Sequence, residues 1–443
     1  MSPVQTTAHA RAIERFEAGA PAEAAALLRD AIDAGPLNDL AVMLRAAGDH
    51  DGARTVLEAA RVVAPEDPDA AANLAALAAE HVDAAPDARR AALLRVVGEA
   101  ARTHLADNVD HLFDPWGAAL PDPAGEGERI ARQLAVLDRC DVLWDRIGDE
   151  ASRALLLRFL AYRALGPAHV RLQLDPVEYR RAVIGMTAKI VRGVGLAGMP
   201  GMPFEWAHHL YDFTPTGTPL VLSGPPLPLA STIVFSQYAY RDEAAAPMAR
   251  PRAGDVALDV GGCWGETALW MATLVGPSGR VHCFEPGRSN LGLLADNLER
   301  NPGLISRVSV HTDPLGSRAG EEVWFDDAIA ASTKAHASAE GARGTATPAT
   351  TDTIDAMVAR GALDRVDFIK MDVEGAELEI LKGAAHTLRT QQPRLALATY
   401  HRPDDVAVFP AFLASLGLEY RWYLQCSTMT DVDTIVFGVP AAA

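Results

Sequence analysis

From Asp255 onward, short apolar runs alternate with segments of helical period. The runs are "DVALDVG", "RVHCFEP", "RVSVHTD", "VDFIKMDV", "RLALATYH", "EYRWYLQ" and "DTIVFGV", rich in β-branched and aromatic residues. They predict strands. Helical segments separate the early runs, and parallel strands need such crossovers. The pattern therefore predicts a doubly wound, mainly parallel sheet covered on both faces. Only a loop separates the last two runs, which predicts an antiparallel hairpin at one edge. Ligands of such α/β sheets bind beyond the carboxyl ends of the strands, so the residues at those ends are the candidates for chemistry.

The first part of the chain has a different pattern. It is alanine-rich and helical in period, and it repeats: "GAPAEAAALLRDAIDAGPLNDLA" (19–41) is similar to "GDHDGARTVLEAARVVAPEDPDAAANLA" (48–75). The second unit, above all "APEDPDAAANLAAL", resembles tetratricopeptide repeats, helical hairpins that bury their apolar faces only by stacking. Two readings stay open for this region, a surface for a protein partner or self-association and a helical cap on the rest of the chain. Residues 84–230 continue as helices, with "ASRALLLRFLAYRAL" (151–165) the clearest, and end in a Gly/Pro-rich connection. The expected organisation is repeats over 1–83, a helical middle over 84–230 and the sheet domain over 231–443.

A length of 443 residues suits two or three such domains. The net charge of −18 argues against a nucleic-acid partner, which needs a basic surface. No apolar run is long enough to span a membrane, and the start "MSPVQTTAHARAIERFE" lacks the apolar core of a signal peptide. Cys140, Cys263, Cys283 and Cys426 lie far apart with no C-x-x-C pair, the pattern of reduced thiols. A cytoplasmic protein without a membrane partner is expected, and the added helical region favours a homo-oligomer.

Where the first strand turns into the first helix stands Asp259-x-Gly261-Gly262-x-x-Gly265. The spacing does not fit the dinucleotide fingerprint G-x-G-x-x-G, and no Gly-Lys-Ser/Thr follows as in a P-loop. An acidic residue ahead of the glycines suits a ligand with an amino group and no phosphate. S-adenosyl-L-methionine is such a ligand, with an ammonium, a carboxylate and a sulfonium. Glu285 ends the next strand 26 residues on, placed to accept the ribose hydroxyls, and Asp313 ends the third, placed near the adenine. Alone, Glu285 reads as a solvated strand end and Asp313 as a turn residue; the agreement of three successive strand ends carries the assignment.

"VDFIKMDVEGAELEILKGA" (366–384), "LDVGGCWGETA" (258–268) and "ATYHRPDD" (398–405) closely resemble the FkbM-type S-adenosylmethionine-dependent methyltransferases. The resemblance covers roughly the last 210 residues. It implies a class I methyltransferase fold and O-methylation of a sugar or secondary-metabolite hydroxyl. It also implies that Asp259, Gly261, Gly262 and Gly265 form the cofactor loop and that Glu285 holds the ribose. Glu266 and Thr267 open the following helix, where backbone N–H groups meet the methionine carboxylate. Asn290 is placed to cap the next helix, and Trp264 either walls the pocket or simply packs.

Methyl transfer to an alcohol is an in-line displacement that requires alignment and removal of a proton. His401, at the end of the fifth strand, is the expected base, and Asp372, at the end of the fourth, is its orienting partner or a substrate contact. Glu374 is a further substrate-binding candidate, or a carboxylate favoured by the helix N-terminus. An alternative places a magnesium ion on Asp372, Glu374 and His401, with Asp404 as a further ligand. Gln237, Tyr238 and Tyr240 precede the sheet domain in "STIVFSQYAYRDE" and are expected to close over it, Tyr238 and Tyr240 as substrate-binding residues. His208 and His209 are adjacent, point to different sides, and read as packing residues. The expected partner is a small-molecule acceptor. The competing readings are a peptide- or carrier-bound substrate recruited by the repeats, and a non-catalytic scaffold.

Overall fold

The computed structural model describes residues 34–46, 50–64, 88–108, 125–191, 208–240, 249–326, 334–336 and 346–441, with residues 11, 12, 15, 69, 70 and 73 besides. The chain divides into two compact units, residues 1–141 with 154–172, and residues 142–153 with 173–443.

The first unit is helical in its described residues. Helices α1 (Ala34–Ala46) and α2 (His50–Val63) share a buried seam of Leu37, Ala41, Ala53, Leu57 and Ala60, joined by Ala70. The positions fall at i, i+4 and i+7, which is one helix face, and the alanines let the two backbones approach closely. This hairpin covers the join of the two expected repeats. Residues 19–33, and most of the helix expected after Pro68, lie outside the described residues. Helices α3 (Ala88–Ala101), α4 (Glu126–Asp138) and α5 (Glu150–Leu165) follow, α5 belonging to this unit from Ala154 on. Among the described residues no helix is long and apolar enough to cross a membrane.

The second unit is built on a seven-stranded sheet. Its strands are β3 (Val256–Val260), β4 (Arg280–Phe284), β5 (Val308–His311), β9 (Phe368–Met371), β10 (Arg394–Ala398), β11 (Tyr420–Cys426) and β12 (Thr434–Pro440). Each of the seven predicted runs forms one of these strands. Their order is β11-β12-β10-β9-β3-β4-β5. The first five in sequence are parallel, and β12 runs antiparallel to both β10 and β11. This is the doubly wound α/β sheet with an antiparallel edge hairpin that the class I methyltransferase resemblance implies. Every residue of β3, β9, β10 and β12 is buried, which is why these strands read as near-continuous apolar runs.

Two smaller sheets accompany it, one ahead of β3 in sequence and one between β5 and β9. Strands β1 (His209–Asp212) and β2 (Val221–Gly224) form a hairpin. The outer edge of β2 is paired by side chains: Asn297 and Asn301, on and just beyond helix α8 (Arg288–Glu299), bond both ways with the backbone of Ser223 and Val221. Strands β6 (Glu322–Asp326), β7 (Lys334–His336) and β8 (Ala346–Thr350) make an antiparallel sheet that the sequence pattern did not predict. Apart from Val323, Trp324 and Phe325 its strands are short and carry few strand-forming residues, and Pro348 lies in an edge strand, so no alternating run marks the sheet as a whole.

The topology also brings the last strand to the site. The carboxyl ends of the parallel strands share one side of the sheet. Because β12 is antiparallel, it begins on that side: Ile435 lies opposite Ala398, and Thr399 N–H donates to the Thr434 carbonyl at 3.0 Å. Asp433, just ahead of β12, therefore joins the strand ends.

Candidate active site

The loop after β3 is wedged between its neighbours. The N–H groups of Gly261 and Gly262 donate to the Phe284 carbonyl at 3.0 and 2.9 Å. A Cβ on Gly261 would lie 1.8 Å from the Asp372 carbonyl oxygen, and one on Gly262 would lie 2.1 Å from Cys283 Sγ. Gly261 and Gly265 also have φ of 88° and 79°, so both glycines hold left-handed backbone that a side chain would strain. Gly265 leads directly into helix α7 (Glu266–Val275).

The Asp259 side chain is engaged within the protein. It is fully buried, accepts from Thr267 Oγ1 at 2.6 Å and pairs with Lys370 Nζ at 3.0 Å. Lys370, on β9 beside β3, also donates to the Gly261 carbonyl. The pair thus acts on the glycine loop from beneath. Burial disfavours the Lys370 charge, but the carboxylates of Asp259 and Asp372 outweigh it and hold the pKa above the usual lysine value. The sequence reading gave Lys370 no role. The available signal was a single lysine in one buried run and a single aspartate in another.

Glu285 sits at the tip of β4 and is 4% exposed. Its carboxylate accepts from Cys263 N–H and Gly287 N–H, each at 2.7 Å, and from Asn290 Nδ2 at 3.2 Å. Burial nevertheless pushes its pKa up to about 7, against the lowering effect of those bonds. Asn290 therefore steadies the strand-end carboxylate and makes no side-chain cap to α8. Asp313 is exposed beyond β5. Trp264 is buried with its ring 5.9 Å from that of His208. Burial lowers the His208 pKa, as expected of a packing residue.

A second cluster forms at the ends of β9 and β10. Asp372 accepts from Tyr238 OH at 2.6 Å and from Tyr400 OH at 2.9 and 3.0 Å. His401 lies with Nε2 3.3 Å from Asp372 Oδ1 and Nδ1 2.7 Å from Glu377 Oε1. The carboxylate that orients the ring through Nδ1 is therefore Glu377, at the start of helix α10 (Glu377–Lys382), in the place expected for Asp372. Burial opposes the imidazolium, but the Glu377 bond and the nearby carboxylates prevail and push the pKa up to about 9. His401 is thus a cation at neutral pH and becomes a base only in alkali. Burial likewise works against the Asp372 anion, yet His401, Lys370 and the two tyrosine hydroxyls hold its pKa below the ordinary carboxylate value.

Asp433 completes this cluster. Its φ is 64°, a left-handed backbone uncommon outside glycine, and it bonds to the side chains of the buried Ser231 and Gln237. Burial and the Asp372 charge push its pKa up to about 7. Tyr238 reaches the cluster from a π-helical turn at Ala230–Val234, a feature common at functional sites. Tyr240 does not reach it: its hydroxyl bonds to Asp149 at 2.7 Å and Ser152 at 3.0 Å, and its ring packs on Tyr423 and Phe437.

The metal expectation is met only in part. Among the described residues, the group whose donor atoms all lie within 4.8 Å of one another is Asp372, Glu377 and His401, without Glu374 or Asp404. Glu374 occupies a left-handed turn, at φ 56°, ahead of Gly375 at φ 96°. Magnesium prefers oxygen ligands in octahedral geometry. Here one donor is an imidazole, and Glu377 Oε1 is already engaged with Val373 N–H and His401 Nδ1. The three side chains neutralise one another as an imidazolium between two carboxylates. The set does not fit magnesium, and no step below is routed through a metal.

Residues 251–421 match the family model of the Methyltransferase FkbM domain, and this stretch is such a domain. The chain is similar to the hexuronic acid methyltransferase AglP of Haloferax volcanii, with 32% identity over 138 residues, or 31% of this chain and 52% of the relative. It thus spans about half the length of that protein. Among solved structures it is similar to the methyltransferase FkbM of Methylobacillus flagellatus, at 21% identity, covering 72% of this chain and 61% of that one with a TM-score of 0.43. Another likeness is to Aeropyrum pernix fibrillarin in complex with S-adenosyl-L-methionine, at 16% identity, covering 46% and 76%, TM-score 0.28.

Proposed function

We propose that this chain, through its FkbM methyltransferase domain, is an S-adenosylmethionine-dependent O-methyltransferase acting on a hydroxyl of a sugar or a sugar-bearing secondary metabolite. The observation that carries the reading is the convergence on one sheet edge of the glycine loop after β3, the Glu285 carboxylate after β4 and the Asp372 cluster after β9. The loop "GGCWGET" contains no lysine or arginine, so it suits a phosphate-free nucleoside ligand. The similarity to a hexuronic acid methyltransferase supports a sugar acceptor, in particular one that carries a carboxylate.

When bound, the methyl donor supplies an electrophilic methyl group on a sulfonium. The chain's own residues then have three tasks. Glu285 stands where ribose hydroxyls need an acceptor, held in place by Cys263, Gly287 and Asn290. The Asp372 carboxylate, kept ionised by His401 and two tyrosines, is placed to orient the acceptor hydroxyl. The hydroxyl proton must then leave. Asp433, with a pKa near 7, matches that task at neutral pH better than His401, whose proton is held to about 9.

The test is transfer of labelled methyl from S-adenosylmethionine to a panel of uronic acid glycosides and neutral glycosides, alongside calorimetric titration with the donor. Labelled acceptor from the wild type, and loss of donor binding in an Asp259→Ala, Glu285→Ala double variant, is the expected result. A wild-type protein that binds no S-adenosylmethionine overturns the reading.

A further inference from the structure

Asp433 is partly exposed beside the Asp372 cluster, and the two side chains that bond to its carboxylate, Ser231 and Gln237, are buried at 1% and 4% exposure. All three residues lie outside 251–421, the stretch that matches the family model, so the family likeness assigns this contact no role.

The two donors come from one short, closed segment. Ser231 lies in the π-helical turn Ala230–Val234, and its carbonyl accepts from the Gln237 N–H at 3.0 Å, which ties the donors together through the backbone. Phe235 N–H donates to the Ala230 carbonyl at 3.0 Å, and Ser236 turns the chain with a φ of 52°. From β11, the fully buried Gln425 donates through Nε2 to the carbonyls of Ser236 and Ala239 at 3.3 and 3.4 Å. Left-handed backbone outside glycine, at Ser236 and again at Asp433, persists only where the surroundings hold it.

A carboxylate that takes a proton from an acceptor hydroxyl needs a fixed direction, and its charged form needs hydrogen-bond donors. A serine hydroxyl and a glutamine amide supply donors without adding charge. We propose, on the methyltransferase reading above in which Asp433 takes the acceptor's proton, that Ser231 and Gln237 are positioning residues that aim the Asp433 carboxylate and keep it in its proton-accepting form at neutral pH. In that step the acceptor oxygen bonds to the methyl carbon as the carbon–sulfur bond breaks and leaves its electron pair on sulfur. The hydroxyl proton passes to Asp433 and from there to solvent.

Burial raises the Asp433 pKa and the Asp372 charge adds to it, whereas the Ser231 and Gln237 bonds and His401 lower it, to a balance at about 7. The titratable groups that face Asp433 are Asp372 after β9, Tyr400 and His401 after β10, Cys426 at the end of β11, and Tyr238. Removing one donor favours the protonated acid, so the base then needs a higher pH.

The experiment is the pH dependence of kcat/KM for labelled-methyl transfer to a responsive glycoside by the full chain, as wild type, Ser231→Ala and Gln237→Met. Asp433→Asn serves as reference, and donor affinity is measured alongside by calorimetry. A hydrogen bond to a charged group is worth roughly tenfold in the equilibrium between the two forms. In each variant the rise in rate, centred near pH 7 in the wild type, should therefore move about one pH unit to the alkaline side. The rate should fall roughly tenfold at pH 6 and approach the wild type by pH 9, with donor affinity unchanged. An equal loss at every pH, or a rise centred where the wild type has it, overturns the proposal. Aspartate carboxyl NMR needs no acceptor: the resonance missing from Asp433→Asn should titrate at higher pH in both variants, and coincident titrations overturn the proposal. Should one variant fold too poorly to assay, the other decides; failure of both to fold assigns the pair to the fold alone and overturns the proposal. An Asp433→Asn variant with the wild-type rate and profile removes the base and this role with it, and leaves the methyltransferase reading standing. Wild-type protein that neither binds the donor nor transfers methyl overturns that reading as well.

Discussion

At the tips of β3 and β4, Asp259 and Glu285 bond to a lysine, a threonine, an asparagine and loop N–H groups, and the nearby histidines are kept neutral. His282 and His311 lie on neighbouring strands with Nδ1 and Nε2 2.9 Å apart. Burial, with the partner ring beside it, pushes the His282 pKa down to about 4. At the tips of β9, β10 and β12 the opposite holds. Burial opposes the His401 charge, but Glu377, Asp372 and Glu374 face the ring and push it up to about 9. One half of the sheet edge uses its polar groups to fix a backbone shape, which on the proposed function suits the phosphate-free adenosine part of the donor. The other half concentrates unequal charges, the form a proton transfer requires. On the proposed function, the same strand ends divide into a binding half and a reacting half.

The sharpest way to break this division is through activity. Asp433→Asn should lower turnover on an acceptor by about 10²–10⁴-fold while leaving donor affinity unchanged. The wild-type rate should rise with pH through about 7 as Asp433 loses its proton, in the field of Asp372, His401, Tyr238, Tyr400 and Cys426. A rise centred near 9 would instead make His401 the base.

Next in size is the binding half. Lys370→Met leaves Asp259 buried without its counter-charge, and denaturant unfolding should show a loss of about 3–5 kcal/mol. An Asp259→Leu, Lys370→Met double variant should recover much of the stability without recovering donor binding. A single variant as stable as the wild type would show that the pair does not hold the loop.

The smallest effects have opposite signs with pH. The folded pKa of His401 lies above its ordinary 6.5, so its contribution is complete below about pH 6.5 and is lost as pH rises through about 9. That contribution is on the order of 3 kcal/mol. The folded pKa of His282 lies below 6.5, so its contribution is complete above that value and is lost as pH falls toward about 4. Partial exposure limits this one to about 1–2 kcal/mol. Unfolding free energies of wild type, His401→Gln and His282→Gln across pH 4–10 measure both. His401→Gln should flatten the alkaline limb and His282→Gln the acid limb.

The sequence made the main sheet legible because its strands are buried on both faces and so read as uninterrupted apolar runs. The three strands β6 to β8 lacked that burial and were invisible. Within the site, the glycine loop, Glu285, Asp372 and His401 were legible because each ends a recognisable run. Asp433 was not, since its place depends on β12 returning antiparallel beside β10, a fact of topology that no local pattern states. Tyr238 and Tyr240 looked equivalent two residues apart. They diverge because the chain turns between them, with Ala239 N–H donating to the Ser236 carbonyl at 2.8 Å and Gln425 bonding to the carbonyls of Ser236 and Ala239. Glu377 was passed over for Glu374 because the left-handed step at Glu374 and Gly375, which resets the register before α10, cannot be counted from spacing.

The most direct test of the division is hydrogen–deuterium exchange of the full chain with and without S-adenosylhomocysteine. Protection concentrated in residues 259–267 and 285–290, with the segment around Asp433 unchanged, is the predicted result. Protection centred on 399–405 and 427–433 instead, or none anywhere at saturating ligand, would contradict it.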